Sequence, residues 1–297
     1  MTKSTISKPI ALTEPESTHL LKETMRILWR NPVVLIGLFV IIFWLMVSLI
    51  APIAAPNDPL AQNVSTRLSA PGEEGYIFGS DELGRDIFTR VMYGGRITLP
   101  AALVVVIVDA IIGTIIGALA GYAGGIWDEI VMRITELFMA FPTIILAMAI
   151  TAALGPDIRN AVIALIVVRW PNYARLTRGL ILDVKNEDYV EAAKSLGATH
   201  FYILRKTLLP NTIAPAIVYA TLDIGNAILL FAGLSFLGLG PEPSSPEWGR
   251  MVSIGIDFFD QWWMWLFPGF AIASVVMAFN FIGDGLRDIL DPRTRKQ

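Results

Sequence analysis

The 297-residue chain is 54% hydrophobic and 16% charged, with a net charge of −3 and no cysteine. That apolar excess excludes an ordinary soluble domain and places the chain in a bilayer. Zero cysteines exclude a disulfide framework, a thiolate metal site and a cysteine nucleophile, while the distribution of charge between two membrane sides says more than its total.

Met1 to Ser17 is polar, is interrupted by Pro9 and Pro15, and reads as a disordered tail. Leu20 to Trp29 then sets Leu20, Leu21, Met25, Leu28 and Trp29 on one face opposite Lys22, Glu23 and Arg26. This is the pattern of a helix lying along the inner leaflet, with a plain extension of the first span as the alternative. Val33 to Ala51 is uncharged and mostly apolar, enough at about 1.5 Å per residue to cross a hydrocarbon core of roughly 30 Å. Small residues near Ala51 to Ala55 also fit a cleaved signal peptide, but the polar segment ahead of the run is long for one.

Pro52 to Arg96 forms a long outer segment with a helix start expected at Ser80 or Asp81. Asp81/Arg85 and Asp86/Arg90 have the i,i+4 spacing of an exposed helix. Asp81, Glu82 and Asp86 lack the alternating ligands of an EF-hand loop, so they read as capping and surface charge and no metal site is expected.

Five more spans are expected at Ile97 to Gly121, Glu136 to Leu154, Ile158 to Leu176, Asn211 to Leu239 and Trp262 to Gly283, making six crossings. Arg169 and Pro171 interrupt the fourth, for which a re-entrant segment is the alternative. Gly113, Gly117 and Gly121 recur every fourth residue and mark a face where another helix approaches closely, or else a pore lining. Pro142 and Pro268 are expected to kink their spans. Asp109, Arg169 and Asp223 fall inside spans, where an isolated charge costs roughly 2.5 to 3.5 kcal/mol on insertion scales. Each must therefore face protein or water, which makes the three candidates for a translocation path. The alternative is a snorkelling Arg169 and aspartates hydrogen-bonded at helix contacts.

Between the fourth and fifth spans lies a polar stretch. Asp188 to Leu196 reads as a short helix, Gly197 as a positive-φ corner, and Thr199 as the cap of a second helix running to Leu209. Pro210 then stops that helix or starts the next element. After the fifth span, Pro241 to Gln261 is rich in turn formers and ends in Trp262, Trp263 and Trp265, an aromatic belt at the outer interface. Six crossings from an inner N-terminus leave only Arg67, Arg85, Arg90, Arg96, Arg159 and Arg250 outside among 23 basic residues. The positive-inside rule thus puts both tails and the Glu191 stretch in the cytoplasm. No phosphate-binding G-x-x-x-x-G-K-[ST] motif occurs, and His19 and His200 are too far apart in sequence to suggest a catalytic or metal site, His200 reading instead as a surface contact.

Glu191-Ala192-Ala193, Gly197 and Leu209-Pro210 together resemble the ATPase-coupling loop of ABC importer permeases, with Thr207 where isoleucine is usual. The resemblance extends to Phe78 through Asp86, Leu234 through Gly240, Pro246 through Gly249, and Asn280 through Asp288. These segments resemble one permease subunit of dipeptide, oligopeptide and nickel importers, nearest to the C-type dipeptide subunit. The resemblance implies an all-α, polytopic fold of six transmembrane helices with a cytoplasmic coupling hairpin. Its layout would be a cytoplasmic tail and interfacial helix (1–31), a first transmembrane helix (32–52), an extracytoplasmic loop (53–96), a five-helix core (97–290) and a cytoplasmic tail (291–297). The core would contain the coupling loop (187–210) and a second outer loop (240–262).

The resemblance also implies a non-enzymatic subunit of a prokaryotic inner-membrane importer. It would work with a second homologous permease, two ATPase subunits that bind ATP and Mg, and an extracytoplasmic binding protein docked on the acidic outer loops. No cofactor of its own and no nucleic acid are implied. Glu191 would contact the ATPase, Ala192 and Ala193 would allow close approach, Gly197 would make the corner, and Leu209-Pro210 would anchor the return to the fifth span. Peptides are the expected cargo, with nickel complexes, glutathione-like peptides or oligosaccharides as alternatives. A stand-alone secondary transporter would instead need its own coupling-ion site and internal repeats.

Overall fold

The computed structural model of the protein describes residues 31–290, so the expected disordered tail, the inner-leaflet helix and His19 lie outside the described residues. The described chain contains no strand beyond one isolated bridge between Ser80 and Asp86. Its helices are α1 (Pro32–Ala54), α2 (Ile87–Ala123), α3 (Gly125–Met139), α4 (Thr143–Leu154), α5 (Ile158–Val184), α6 (Asp188–Ser195), α7 (His200–Tyr202), α8 (Leu209–Phe236), α9 (Trp248–Asp257) and α10 (Trp263–Leu290). A π-helical turn, Ile203–Leu208, joins α7 to α8 without a break.

Four helices, α1, α2, α8 and α10, are long and apolar enough to cross a membrane. The expected third span is in two pieces, because α3 and α4 meet at 85°. Pro142 is the cause: it lacks an N–H and disfavours helical geometry at Phe141, so the ladder stops and restarts at Thr143. Counted as one bent span, the pair brings the number to five. The fourth expected span is a continuous 27-residue helix, α5, whose Arg169, Arg175 and Arg178 set it apart from the apolar four.

α2 organises the molecule. Its 37 residues extend about 55 Å at the usual helical rise, more than a bilayer with its headgroups. The glycine stripe works as a packing face. A Cβ on Gly113 would stand 2.4 Å from Tyr173 Cβ, and one on Gly117 only 2.1 Å from the Ala174 carbonyl oxygen. Glycine is what lets α2 and α5 touch backbone to backbone. The same device seats α10: Gly283 lies against Leu222 of α8 and Gly285 against Val34 of α1. Trp44 fixes α1 to α10 by donating its indole N–H to Ser274 Oγ at 2.9 Å. Much of the rest of α1, including Phe39 and Leu49, is exposed apolar surface of the kind that faces lipid.

At one end of this bundle the two segments expected on the outer side fold into a cap. Here the structure corrects the expectation of a helix from Ser80 or Asp81. α2 starts at Ile87, with Asp86 as its N-cap accepting from Phe88 and Thr89 N–H. Asp81, Arg85, Asp86 and Arg90 are buried, not exposed. Asp81 pairs with Arg85 at 2.6 Å, but Arg90 turns away from Asp86. It donates to the carbonyls of Pro59 (2.9 Å), Ser244 (3.2 Å) and Ser245 (3.1 Å), which ties both outer segments together. Gly84, at φ +70, has the Asn63 carbonyl where a Cβ would be. The Phe78–Asp86 motif is therefore a brace. Trp263 also departs from the belt reading, since it is buried and donates to the Ser80 carbonyl at 3.1 Å; Trp262 stays half exposed.

The second outer segment contains α9. Glu247 caps it by accepting from Gly249 N–H (3.0 Å) and Arg250 N–H (2.8 Å), and it also accepts from Thr98 Oγ1 (2.9 Å) and from Ser235 Oγ. Burial pushes the Glu247 carboxyl above its ordinary range, opposed by those four hydrogen bonds. Trp248 completes the cap with an indole bond to the Val91 carbonyl at 2.9 Å.

Candidate functional site

The other end of α2 carries the polar hairpin. α6 ends in a Schellman closure: Gly197 has φ +81, its N–H reaches the Lys194 carbonyl at 2.9 Å, and Ala198 N–H reaches Ala193 O at 3.0 Å. Thr199 caps the return helix, accepting from Tyr202 N–H at 3.3 Å. Pro210 follows directly on the π-helical turn, with helical backbone at Leu208 and Leu209 before it, so the return arm of the hairpin and the fifth span are one continuous helix.

The hairpin has its own apolar seat. Val190, Ile203 and Leu208 bury against Ala118 of α2 and Ile181 of α5, with Leu209 and Ala198 packed alongside. Polar ties add direction. Lys185 Nζ donates to the Gly121 carbonyl at 3.0 Å, and the Tyr122 hydroxyl lies 2.6 Å from His200 Nδ1. Arg178 of α5 holds Asp128 of α3 through two hydrogen bonds of 3.0 and 2.7 Å.

What the hairpin turns outward is mixed. Glu191 and Ala192 are exposed, Ala193 is half-buried, and Gly197 and Pro210 are exposed. Beside them Leu196 is 88% exposed and Phe201 69% exposed. Sequence reasoning missed those two, although an apolar residue on each side of a glycine corner in a polar loop was a readable signal.

The three intramembrane charges come together. Arg169 Nε lies 3.2 Å from Asp109 Oδ2, and its Nη2 lies 2.6 Å from Asp223 Oδ2. Tyr173, one turn along α5, donates its hydroxyl to the same Asp223 oxygen at 3.0 Å. All four side chains are buried, so Arg169 does not snorkel. Tyr173 was not singled out from the sequence, where an aromatic in a span reads as core.

Residues 113–296 match the family described as binding-protein-dependent transport system inner membrane component, and residues 19–71 match the N-terminal TM domain of oligopeptide transport permease C. The chain belongs to this family of ABC importer permeases. It is 40% identical over 303 residues, 99% of each chain, to the dipeptide transport system permease protein DppC of Alkalihalophilus pseudofirmus. It is 42% identical over 264 residues to the probable D,D-dipeptide transport system permease protein DdpC of Escherichia coli K12, covering 89% of this chain and 88% of that one. Among solved structures, the inward-facing MetNI methionine ABC transporter shares the fold, with a TM-score of 0.51 and 22% identity over 65% of this chain and 94% of that chain.

Proposed function

We propose that this chain is one of two permease subunits of an ATP-driven importer of dipeptides or short oligopeptides. Its place is the inner membrane of a prokaryote, with both tails and the hairpin in the cytoplasm. The observation that carries the reading is the hairpin at 187–210: a polar corner seated on α2 and α5, with exposed Leu196 and Phe201 beside exposed Glu191. Such a surface fits a groove on an ATPase subunit, with Glu191 as the polar contact and Ala192 and Ala193 allowing close approach. Two ATPases would bind ATP and Mg and hydrolyse the nucleotide; this chain would transmit their closure. The braced outer cap would receive the peptide-loaded binding protein. The names of the dipeptide-permease relatives support the cargo class.

The test is reconstitution into proteoliposomes. Labelled dipeptide should enter only when the chain is joined by its second permease, the ATPases, the binding protein and ATP. Uptake by this chain alone, or a cognate binding protein that ignores peptides, rejects the proposal.

Gly197 offers a sharper probe. A Cβ there meets no neighbour within 4 Å, so the main cost is the left-handed backbone, at most about 1 to 2 kcal/mol. Gly197→Asp should insert at normal abundance yet lose most uptake, because the corner that orients Leu196 against Phe201 is reset. Gly197→Asn, the residue that stands in for glycine at such a helix cap, should retain more. Equal uptake by both variants and wild type, at matched abundance, contradicts the assigned role.

A further inference from the structure

The chain enters the hairpin from α5 and leaves it into α8, so these two helices are its arms. Both are apolar enough on their contact faces to pack without charge, yet Arg169 and Tyr173 of α5 converge on one oxygen of Asp223 in α8. A buried ion pair contributes little stability over an apolar replacement of the same shape. What it adds is a fixed register between the two helices. The second aspartate points the same way. Asp109 ties Arg169 to α2 exactly where α2 and α5 already touch through Gly113, leaving two carboxylates on one guanidinium. Asp109 Oδ1 and Arg169 Nη1 are buried without a hydrogen-bond partner, so the set is shaped for position more than for adhesion.

We propose that Arg169, Tyr173 and Asp223 form a clamp that makes α5 and α8 tilt as one body when the hairpin is displaced, with Asp109 holding α2 to the same body. The clamp rests on the reading of the hairpin as the ATPase contact. These are positioning residues: they touch neither nucleotide nor cargo. Without the clamp the arms shear past each other, and hairpin movement is spent at the inner end before it reaches the outer cap. ATP hydrolysis then continues with little transport.

The charge balance makes the variants unequal. Asp109→Asn leaves a neutral Arg169–Asp223 pair and should be the mildest. Arg169→Met leaves two buried carboxylates and should lower membrane abundance. Adding Asp109→Asn to Arg169→Met removes one of those charges and leaves Asp223 alone, so abundance should recover in part while the clamp stays broken.

The experiment measures labelled dipeptide imported per ATP hydrolysed in proteoliposomes holding the complete assembly. Asp223→Asn should lower that ratio about tenfold, the scale of one hydrogen bond to a buried charge. Tyr173→Phe, which changes no charge, should lower it in the same direction by less. Arg169→Met with Asp109→Asn should regain part of the abundance lost in Arg169→Met but none of the ratio. A wild-type ratio in both Asp223→Asn and Tyr173→Phe overturns the clamp, as does recovery of the ratio together with abundance in the double variant. A wild-type assembly that hydrolyses ATP and imports no peptide overturns the importer reading and the clamp with it.

Discussion

Replacing Gly117 by alanine should remove most of the folded permease from the membrane. The new Cβ would stand 2.1 Å from the Ala174 carbonyl oxygen and 2.9 Å from the Ala174 Cα. Backbone cannot rotate aside as a side chain can, so α2 and α5 must separate. Overpacking of this kind costs roughly 3 kcal/mol or more when no neighbour can yield. Separation also pulls Asp109 from Arg169, which leaves both charges uncompensated in an apolar bundle. A gradient along the stripe checks the cause. At Gly121 the nearest atoms stand at 3.1 and 3.2 Å, so a small shift accommodates a methyl group. Gly121→Ala should therefore reach about half of wild-type abundance or better, and Gly117→Ala a small fraction of it. The measurement is monodisperse permease recovered from membranes. Equal recovery of the two variants would mean that the stripe does not set the α2–α5 distance.

The stripe was legible because one helix carries all of it, at a spacing that puts the residues on one face. The corner of the hairpin was legible for the same reason, since the positive-φ glycine and the capping threonine act within a few residues of their own position; Pro210, read as a stop or a start, lies instead inside one continuous helix. The charge triad was legible only as three separate anomalies. Each charge announced itself by its cost in a span, but Asp109, Arg169 and Asp223 sit on three different helices, and nothing local says which partners meet. Arg90 was misread for a related reason. Its i−4 neighbour Asp86 suggested a surface pair, whereas its actual partners are the backbone carbonyls of Pro59, Ser244 and Ser245, and a carbonyl carries no sequence signature. α9 was hidden among Pro241, Pro243 and Pro246, although Glu247 followed by Trp248, Met251 and Gly255 does have a cap and a helical period. Trp263 was grouped with its neighbours as an interface anchor because burial against Ser80 is a tertiary fact. The bend at Pro142 was foreseen as a kink, but its size follows from Phe141 and Pro142 both leaving the helix, which separates α3 from α4.

Arg90 carries the other large expectation, and its effect should be confined to the outer end. Arg90→Met deletes donors to three carbonyls in two loops and removes the cation 3.6 Å from Asp81 Oδ2. Breaking a buried, hydrogen-bonded charge site by removing one member costs about 3 to 5 kcal/mol. Part of that cost is avoidable, since Asp81 keeps Arg85 at 2.6 Å. The three carbonyls have no such substitute within the cap, so the loops around Pro59 and Ser244 should part and admit water. Lysine should rescue little: its single ammonium cannot span carbonyls that the planar guanidinium holds through two separate nitrogens. A cysteine introduced at Pro246, which is buried in the cap, and labelled with a membrane-impermeant maleimide reads this directly. Labelling should be slow in the wild-type background and much faster with Arg90→Met or Arg90→Lys, while hairpin-end contacts such as Lys185 to Gly121 stay intact. Unchanged labelling in Arg90→Met would show that the cap is held by Glu247 and Trp248 without it. If the cap opens as expected, binding-protein docking should weaken in the same variants even though Arg90 itself is buried. The proposed landing surface would then owe its shape to a buried guanidinium.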